Sequence, residues 1–111
     1  MKLSKRQEQE YNKILEEIKT ARECDNFKTW LFKTNDFLGN KPDKEEYYEN
    51  NKEYYSRFKE YYENGKNGIV LSNAGKRTLE SLKKKGLIEI IKISGYRNTG
   101  CVLDWVKAIE Q

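Results

Sequence analysis

The sequence contains no histidine, which removes the commonest general base in enzymes and every Ser–His or Cys–His arrangement. It also contains no glycine-rich loop of the kind that holds phosphate groups. We find no combination of acid, base and nucleophile that is typical of an active site. The sequence therefore predicts a protein that is not an enzyme.

Cysteine is scarce as well, because only Cys24 and Cys101 are present and they lie far apart. A structural zinc site usually has four Cys or His ligands, so we expect no metal, and nothing in the sequence indicates a cofactor or a small-molecule substrate. No apolar run approaches the roughly 18 residues that cross a membrane, and the amino-terminal MKLSKRQEQE lacks the apolar stretch of a secretion signal. We expect a cytoplasmic protein with no membrane partner, in which both cysteines are buried thiols.

The composition predicts one small domain with a localised basic surface. The 111 residues are 36% hydrophobic, 36% charged and 13% aromatic, which is polar but too aromatic for a wholly disordered chain. The net charge is +4. Residues 1–25 carry six groups of each sign, residues 26–66 carry eight of each, and residues 67–111 carry eight basic and four acidic groups. The excess in the last segment predicts a surface for an anionic partner.

The amino-terminal part predicts a helix from a capping-box pattern. Ser4 and Gln7 have the spacing at which side chain and backbone cap each other. Apolar residues then recur every three or four positions up to about Glu23; they are Tyr11, Ile14, Leu15, Ile18 and Ala21.

A second, short helix is predicted to begin at Asp25 or Asn26 and to end near Asn35. Its apolar residues have helical spacing, although FKTWLF is also compatible with a strand. We expect Phe37 and Leu38 to fold back as an anchor before the break at residues 39–42.

The most unusual stretch is EYYENNKEYYSRFKEYYENGK, residues 46–66, where one seven-residue phrase occurs three times. Pro42 and Asp43 are candidates for a helix start, and Gly65 and Gly68 are candidates for its end. On a helical wheel the aromatic residues share an arc of about 140°; they are Tyr47, Tyr48, Tyr54, Tyr55, Phe58, Tyr61 and Tyr62.

Three interpretations of this segment are open. A coiled coil is disfavoured, because placing either column of tyrosines at position a puts mostly polar residues or glycine at position d. A base-stacking platform calls for basic neighbours, whereas these lysines are matched by glutamates. The favoured interpretation is a core helix in which Tyr47, Tyr54 and Phe58 are buried most and Tyr48 and Tyr61 keep their hydroxyl groups in water.

The arc is wide for a small core, so we expect part of it to remain exposed. An exposed aromatic edge is a natural site for a homodimer or a host protein. The residues predicted for such a partner are Tyr48, Tyr55 and Tyr62.

The carboxyl-terminal part predicts a helix followed by a β-hairpin. Residues 68–73 are a short extended piece or turn ending in the cap candidates Ser72 and Asn73. A helix is predicted from about Ala74 to Lys85, with Gly86 as its stop. Residues 87–93 and 101–109 are predicted strands joined by a turn at residues 94–100.

The run Leu79-x-x-Leu82-x-x-x-Gly86-Leu87-Ile88 resembles the winged helix-turn-helix family, in which a recognition helix leads into a two-stranded wing. Two leucines dock the helix, and glycine permits the turn that follows it. The resemblance covers about residues 55–109, with the tyrosine helix as the first helix of the pair. The connection over residues 64–72 is longer than the compact turn of that family.

The resemblance implies that the exposed side of this helix enters the major groove of duplex DNA. Arg77 would read a guanine edge, lysines would neutralise phosphates, and the hairpin tip would reach the backbone or minor groove. The residues implied are Lys76, Arg77, Ser81, Lys83, Lys84, Tyr96, Arg97 and Asn98. From residue 76 to residue 97 the chain carries seven basic and two acidic groups. An ordinary solvated helix face is the alternative, since lysines near a helix carboxyl terminus are favourable in themselves.

We therefore predict an α+β, winged-helix-like single domain over residues 1–111, with three to four helices and a two-stranded carboxyl-terminal hairpin. Residues 1–66 would be a helical scaffold and residues 67–111 the recognition helix and wing. The predicted function is that of a non-enzymatic DNA-binding or regulatory protein. The composition resembles accessory proteins of phages and mobile elements. The alternative is a protein-interaction module or inhibitor of a host protein, acting through the tyrosine-rich helix.

Overall fold

The computed structural model describes residues 3–72, 74–96 and 102–109, and for residues 92–96 and 102–104 it describes the backbone alone. The helices are α1 (Lys5–Glu23), α2 (Phe27–Thr34), α3 (Asp36–Gly39), α4 (Lys44–Asn50), α5 (Lys52–Tyr55), α6 (Lys59–Lys66) and α7 (Lys76–Lys84), with a 3-10 turn at Ser56–Phe58. The strands are β1 (Ile69–Ser72), β2 (Ile88–Tyr96) and β3 (Val102–Ala108). The α+β class is therefore confirmed.

The first helix begins as its capping box predicts. Ser4 Oγ accepts from the Gln7 N–H at 3.2 Å, and Gln7 Oε1 accepts from the Ser4 N–H at 3.0 Å. Members of the apolar stripe are buried at Ile14, Ile18 and Ala21. Leu15, at the edge of that stripe, is 39% exposed.

The second helix is also where the sequence predicts it, so the strand interpretation of FKTWLF is wrong. Asn26 Oδ1 accepts from the Thr29 N–H at 2.8 Å and caps α2. The predicted anchor is only half right, because Leu38 is fully buried whereas Phe37 is 64% exposed.

The tyrosine segment does not form the continuous helix that its repeat predicts. The helix is interrupted at Asn51, whose Nδ2 donates to the Tyr47 carbonyl oxygen at 2.9 Å. It is interrupted again by the 3-10 turn before α6. Asp43 makes no capping hydrogen bond. The last helix of the segment continues through Gly65 to Lys66. These breaks leave no continuous helix long enough for a coiled coil in this segment.

The segment is a core element, but the predicted centre of its buried arc is wrong. Tyr48, Tyr55 and Tyr62 are only 5%, 5% and 6% exposed, whereas Tyr54 is 50% exposed. A helical wheel defines the width of an apolar arc but not which part of it the rest of the chain covers. Here α2 and α3 cover the side of the segment that carries Tyr48 and Tyr55, so Leu31 packs with these two tyrosines.

The sheet has one more strand than the predicted hairpin. Its order is β1-β3-β2 and both pairings are antiparallel, so β3 is central. Ile69 is paired with Lys107 on one side of β3, and Ile88 with Ala108 on the other. The two-stranded prediction is wrong because nothing local in residues 69–72 signals a partner that lies more than thirty residues later.

The sequence predicts Ser72 as a candidate cap for α7, but Ser72 lies in β1 and does not cap this helix. Its buried Oγ donates to Glu10 Oε1 at 2.6 Å and accepts from the Ala74 N–H at 3.1 Å. The N-cap of α7 is Gly75, which has no side chain to offer. Ser72 therefore joins the edge of the sheet to α1.

Two larger apolar cores and a small buried cluster of Ala21, Cys24 and Tyr62 support the described part of the fold. The main core joins α1, α7 and the sheet; its buried members are Ile14, Ile18, Val70, Leu79, Leu82, Leu87, Ile88, Val106 and Ala108. The second core is aromatic and lies between α2, α3 and the tyrosine segment. Helices α1 and α6 approach each other closely between the two larger cores. A Cβ atom added to Gly65 would lie only 2.8 Å from the Cβ of Ala21.

The tyrosine segment is not the first helix of a helix-turn-helix pair, because β1 lies between α6 and α7. A helix-turn-helix joins its two helices through only three or four residues. Instead α7 packs against α1 and the sheet. Gly86, with φ at +78°, ends α7 as predicted and turns the chain into β2.

Candidate nucleic-acid interface

The position of α7 is determined by the main core. Leu79 and Leu82 are both fully buried, as predicted, and they share one side of the helix. The opposite side is consequently turned to solvent. Buried leucines leave this short helix little freedom to rotate, so the residues of its outer side have a defined orientation.

A second attachment comes from Gln7. Its Nε2 donates to Ser81 Oγ at 2.6 Å, and its Oε1 accepts from Lys85 Nζ at 2.8 Å. Ser81 is only half-exposed. The Ser81 hydroxyl oxygen therefore joins α7 to α1, and the DNA contact expected of Ser81 stays a prediction.

The outer side carries four exposed cations, which we call the α7 basic face: Lys76, Arg77, Lys83 and Lys84. They span an arc of about 120° on the helix. Glu80 lies within that arc, three or four residues from each cation. Among residues 3–72, 74–96 and 102–109, neither Glu80 nor any of the four takes part in an ion pair.

The two ends of the α7 basic face differ in their relation to the helix dipole. Lys83 and Lys84 lie in the last turn, where cations stabilise a helix. Lys76 and Arg77 lie in the first turn, which contains no acidic residue. A cation there costs about 0.3–1 kcal/mol at low ionic strength. The solvated-face alternative therefore explains the two lysines at the end of α7 but not the two cations at its start.

An anion at the start of α7 would remove that cost. Among the residues that the structure describes, no side chain caps this end of the helix, where the N-cap is Gly75. Backbone N–H groups at a helix amino terminus favour phosphate, and here Lys76 and Arg77 lie beside them. A shallow depression on the same side is lined by Arg77, Glu80 and the neighbouring residues of α7.

The hairpin tip is described only in part. Tyr96 lies at the end of β2, where its backbone pairs with that of Val102. Arg97 and Asn98 lie outside the described residues.

The tyrosines predicted to bind a partner are in the interior, which corrects that prediction. Tyr62 Oη donates to the Cys24 carbonyl oxygen at 2.7 Å in a buried hydrogen bond, and its ring contacts Trp30 at 5.5 Å between centroids. Tyr48 and Tyr55 contact each other at 6.3 Å within the aromatic core. None of the three is available to another molecule without unfolding the segment.

The rings that are exposed or half-buried form what we call the aromatic strip: Phe37, Tyr47, Tyr54, Phe58 and Tyr61. The buried Trp105 stacks on Tyr61 at one end of the strip. Centroids of neighbouring rings are 5.0 to 6.4 Å apart, with the buried Tyr55 joining Tyr47 to Tyr54. Phe37 lies outside the repeat and was predicted to be an anchor, so the repeat pattern does not reveal its place in the strip.

Cations cover part of the aromatic strip. Lys41 Nζ lies 4.7 Å from the centroid of Phe37 and 4.5 Å from that of Tyr47. Arg57 Cζ lies 4.8 Å from the centroid of Tyr54. Such cation–π contacts partly shield exposed rings from water. At exposed sites each contact is favourable by about 0.5–1 kcal/mol.

Other kinds of site find no support in the parts of the chain that the structure describes. Those residues contain no group of three or more Cys, Asp or Glu side chains that could hold a metal ion. Within the same residues, no helix combines the length and apolar character needed to cross a bilayer.

No protein-family model, curated protein or solved structure matches the chain. The surfaces described above are therefore argued from the residues of this chain alone.

Proposed function

We propose that the protein is a non-enzymatic DNA-binding or regulatory protein that binds duplex DNA through the α7 basic face. The observation that carries the proposal is the pair of first-turn cations, Lys76 and Arg77, which have no carboxylate partner among the described residues and oppose the helix dipole. Phosphate is the natural counter-charge for such an arrangement.

The architecture around α7 supports the same proposal. Its core leucines hold the helix so that the basic face is presented outward, and Gly86 leads directly into antiparallel strands. In the proposal this helix and the strands after it act as a winged-helix-type unit, with α1 rather than the tyrosine segment packed behind the helix. In the proposal Arg77 reads a base edge and the lysines contact phosphates, while Tyr96, Arg97 and Asn98 supply a further contact from the hairpin.

Glu80 gives the proposed interface a built-in selectivity. Its carboxylate lies among the four cations and repels phosphate. A basic face with one acidic residue at its centre has a lower non-specific affinity for DNA than a purely basic face. The same carboxylate can accept a hydrogen bond from the N4 amino group of cytosine.

The proposal is tested by titrating a fluorescently labelled duplex with the protein at several salt concentrations. Replacing Arg77 and Lys84 by alanine removes one base contact and one phosphate contact, so we expect lower affinity and a salt dependence shallower by about 0.9 in the slope of log K against log salt. The matched control is Lys19→Ala with Lys52→Ala, which removes the same charge from exposed positions on α1 and α5. Equal loss in both double variants, or no binding by the unchanged protein at low salt, would contradict the proposal.

A second candidate function is protein binding through the aromatic strip. It is favoured by the exposure of Phe37 and Tyr54, which are 64% and 50% accessible to solvent. Exposed neighbouring aromatics are typical of protein interfaces. A second copy of the chain is the partner that can be tested directly: if it binds there, the mass measured by light scattering should rise with protein concentration, and Phe37→Ser with Tyr54→Ser should abolish the rise.

A further inference from the structure

Both tryptophans of the chain, Trp30 and Trp105, line one cleft. The cleft lies between α1, α2, α6 and the β1–β3 side of the sheet and has a volume of about 320 Å³. Ligand pockets commonly measure about 300–1,000 Å³, so this cleft is large enough for one small group or one long side chain. The cleft is separate from the α7 basic face and shares none of its residues.

The walls of the cleft are aromatic rings held in place by other rings. Tyr61 stacks on Trp105 with centroids 5.7 Å apart and planes inclined by 26°. Trp30 contacts Phe27 at 5.9 Å and Tyr62 at 5.5 Å. These contacts leave the walls with defined orientations, as a preformed site requires.

The floor is built from small and apolar residues. Ala21 and Gly65 meet where α1 and α6 are in close contact, and Val70 from β1 completes the floor. All three are buried. The bottom of the cleft therefore offers apolar surface and no charge.

The rim supplies negative charge alone. Glu16 and Glu17 on α1 line the cleft, and no Lys or Arg is among the described residues that do so. Burial of the Glu17 carboxyl group, although one side of it meets solvent, raises its pKa above the usual 4.5; Lys13 opposes this effect and Glu10 adds to it. Partial burial is thus the largest cause of the raised pKa, although Glu17 as a whole is exposed to solvent.

We propose that this cleft binds a guanidinium cation, specifically an arginine side chain presented by a partner polypeptide. A planar guanidinium group stacks on aromatic faces and forms paired hydrogen bonds to carboxylates. Tryptophan and tyrosine rings beside two glutamates provide both kinds of contact. The methylene groups of the arginine side chain match the apolar floor.

The composition of the cleft favours a guanidinium cation over the other ligand classes. An anion would meet two carboxylates and no cation. A neutral apolar group would match the floor but would gain nothing from the two carboxylates, which are exposed to solvent. A compact ammonium ion is more strongly hydrated than guanidinium and stacks less well on rings, so arginine is preferred to lysine.

Intrinsic fluorescence tests the proposal directly, because both tryptophans lie in the cleft. The probe is the tripeptide acetyl-Gly-Arg-Gly-amide, added to the full chain in an amine-free buffer up to about 10 mM, where weak single-residue recognition is measurable. The matched peptide carries citrulline, which has nearly the same shape but no charge. We expect a saturable fluorescence change with the arginine peptide and none with the citrulline peptide. A comparison with free arginine separates the two sources of guanidinium: the peptide should bind at least as well, because its backbone carries no free carboxylate to be repelled by the rim.

The variant Glu16→Gln with Glu17→Gln keeps the size of both side chains. It should lower the affinity for the arginine peptide by about tenfold or more. Its control is Glu8→Gln with Glu23→Gln, which removes the same charge from exposed positions of α1 outside the cleft. Far-UV circular dichroism verifies that all variants are folded. The proposal would be overturned by equal responses to the arginine and citrulline peptides or by the lack of any saturable response. It would also be overturned if free arginine bound more tightly than the peptide, or if the Glu16 and Glu17 variant kept its affinity for the arginine peptide.

Discussion

Gln7 donates from its amide Nε2 to Oγ of Ser81 across 2.6 Å, and this hydrogen bond joins the first turn of α1 to α7. The same side chain accepts from Lys85 Nζ and completes the capping box with Ser4. One glutamine thus starts the first helix and also attaches the helix that carries the proposed DNA-binding face. The orientation of α7 depends on an element more than seventy residues earlier in the chain.

Replacing Gln7 by alanine should lower the free energy of unfolding by about 1–2 kcal/mol, because one cap bond and two interhelical hydrogen bonds are lost together. Urea denaturation monitored by circular dichroism measures the change. Gln9→Ala is the matched control, since Gln9 is exposed on the same helix. Equal stability of the two variants would show that the Gln7 contacts contribute nothing.

Replacing Tyr62 by phenylalanine should cost about 0.5–1.5 kcal/mol of stability. The change keeps the buried ring and its contacts but leaves the Cys24 carbonyl oxygen without the hydroxyl that donates to it. Tyr54→Phe, at a position 50% exposed, should change stability by less than about 0.5 kcal/mol. The same denaturation experiment distinguishes them, and a larger loss at Tyr54 would reverse the assignment of the buried column.

The stability of the protein should respond to Glu17 in a pH-dependent way. Its pKa is raised in the folded state, mainly by burial, so the protonated form favours folding below the usual value of 4.5 and that contribution is lost as the pH rises through the raised value. Glu17→Gln should therefore match the unchanged protein near about pH 4 and exceed it near about pH 7. Partial exposure limits the gain to the order of a few tenths of a kcal/mol. Denaturation midpoints at the two pH values measure it, and a variant less stable at neutral pH would contradict the assigned burial.

Local patterns in the sequence predict α1, α2 and the end of α7 well. The Ser4–Gln7 capping box and the stripe of α1 are interactions within a few residues, and so are the Asn26 cap and the Gly86 turn. Each depends on backbone conformation and side-chain chemistry that neighbouring residues decide. The docking of Leu79 and Leu82 is predictable for the same reason.

Features that depend on distant partners were not predictable in this way. The pairing of β1 with β3 and the choice of Tyr55 rather than Tyr54 for the core follow from what packs against each segment. A sequence pattern specifies that a residue is suited to burial, but tertiary packing decides which of two suitable columns is covered. The cleft between Trp30 and Trp105 likewise brings together residues that share no local pattern.

The central claim, that duplex DNA binds the α7 basic face, is tested most directly by amide chemical-shift mapping of the isotopically labelled protein with a short duplex. The account predicts that shifts concentrate in Lys76–Lys84, with the largest at the first turn of α7, and that residues 44–66 remain unchanged. Shifts confined to the aromatic strip, or no shifts at low salt, would contradict it.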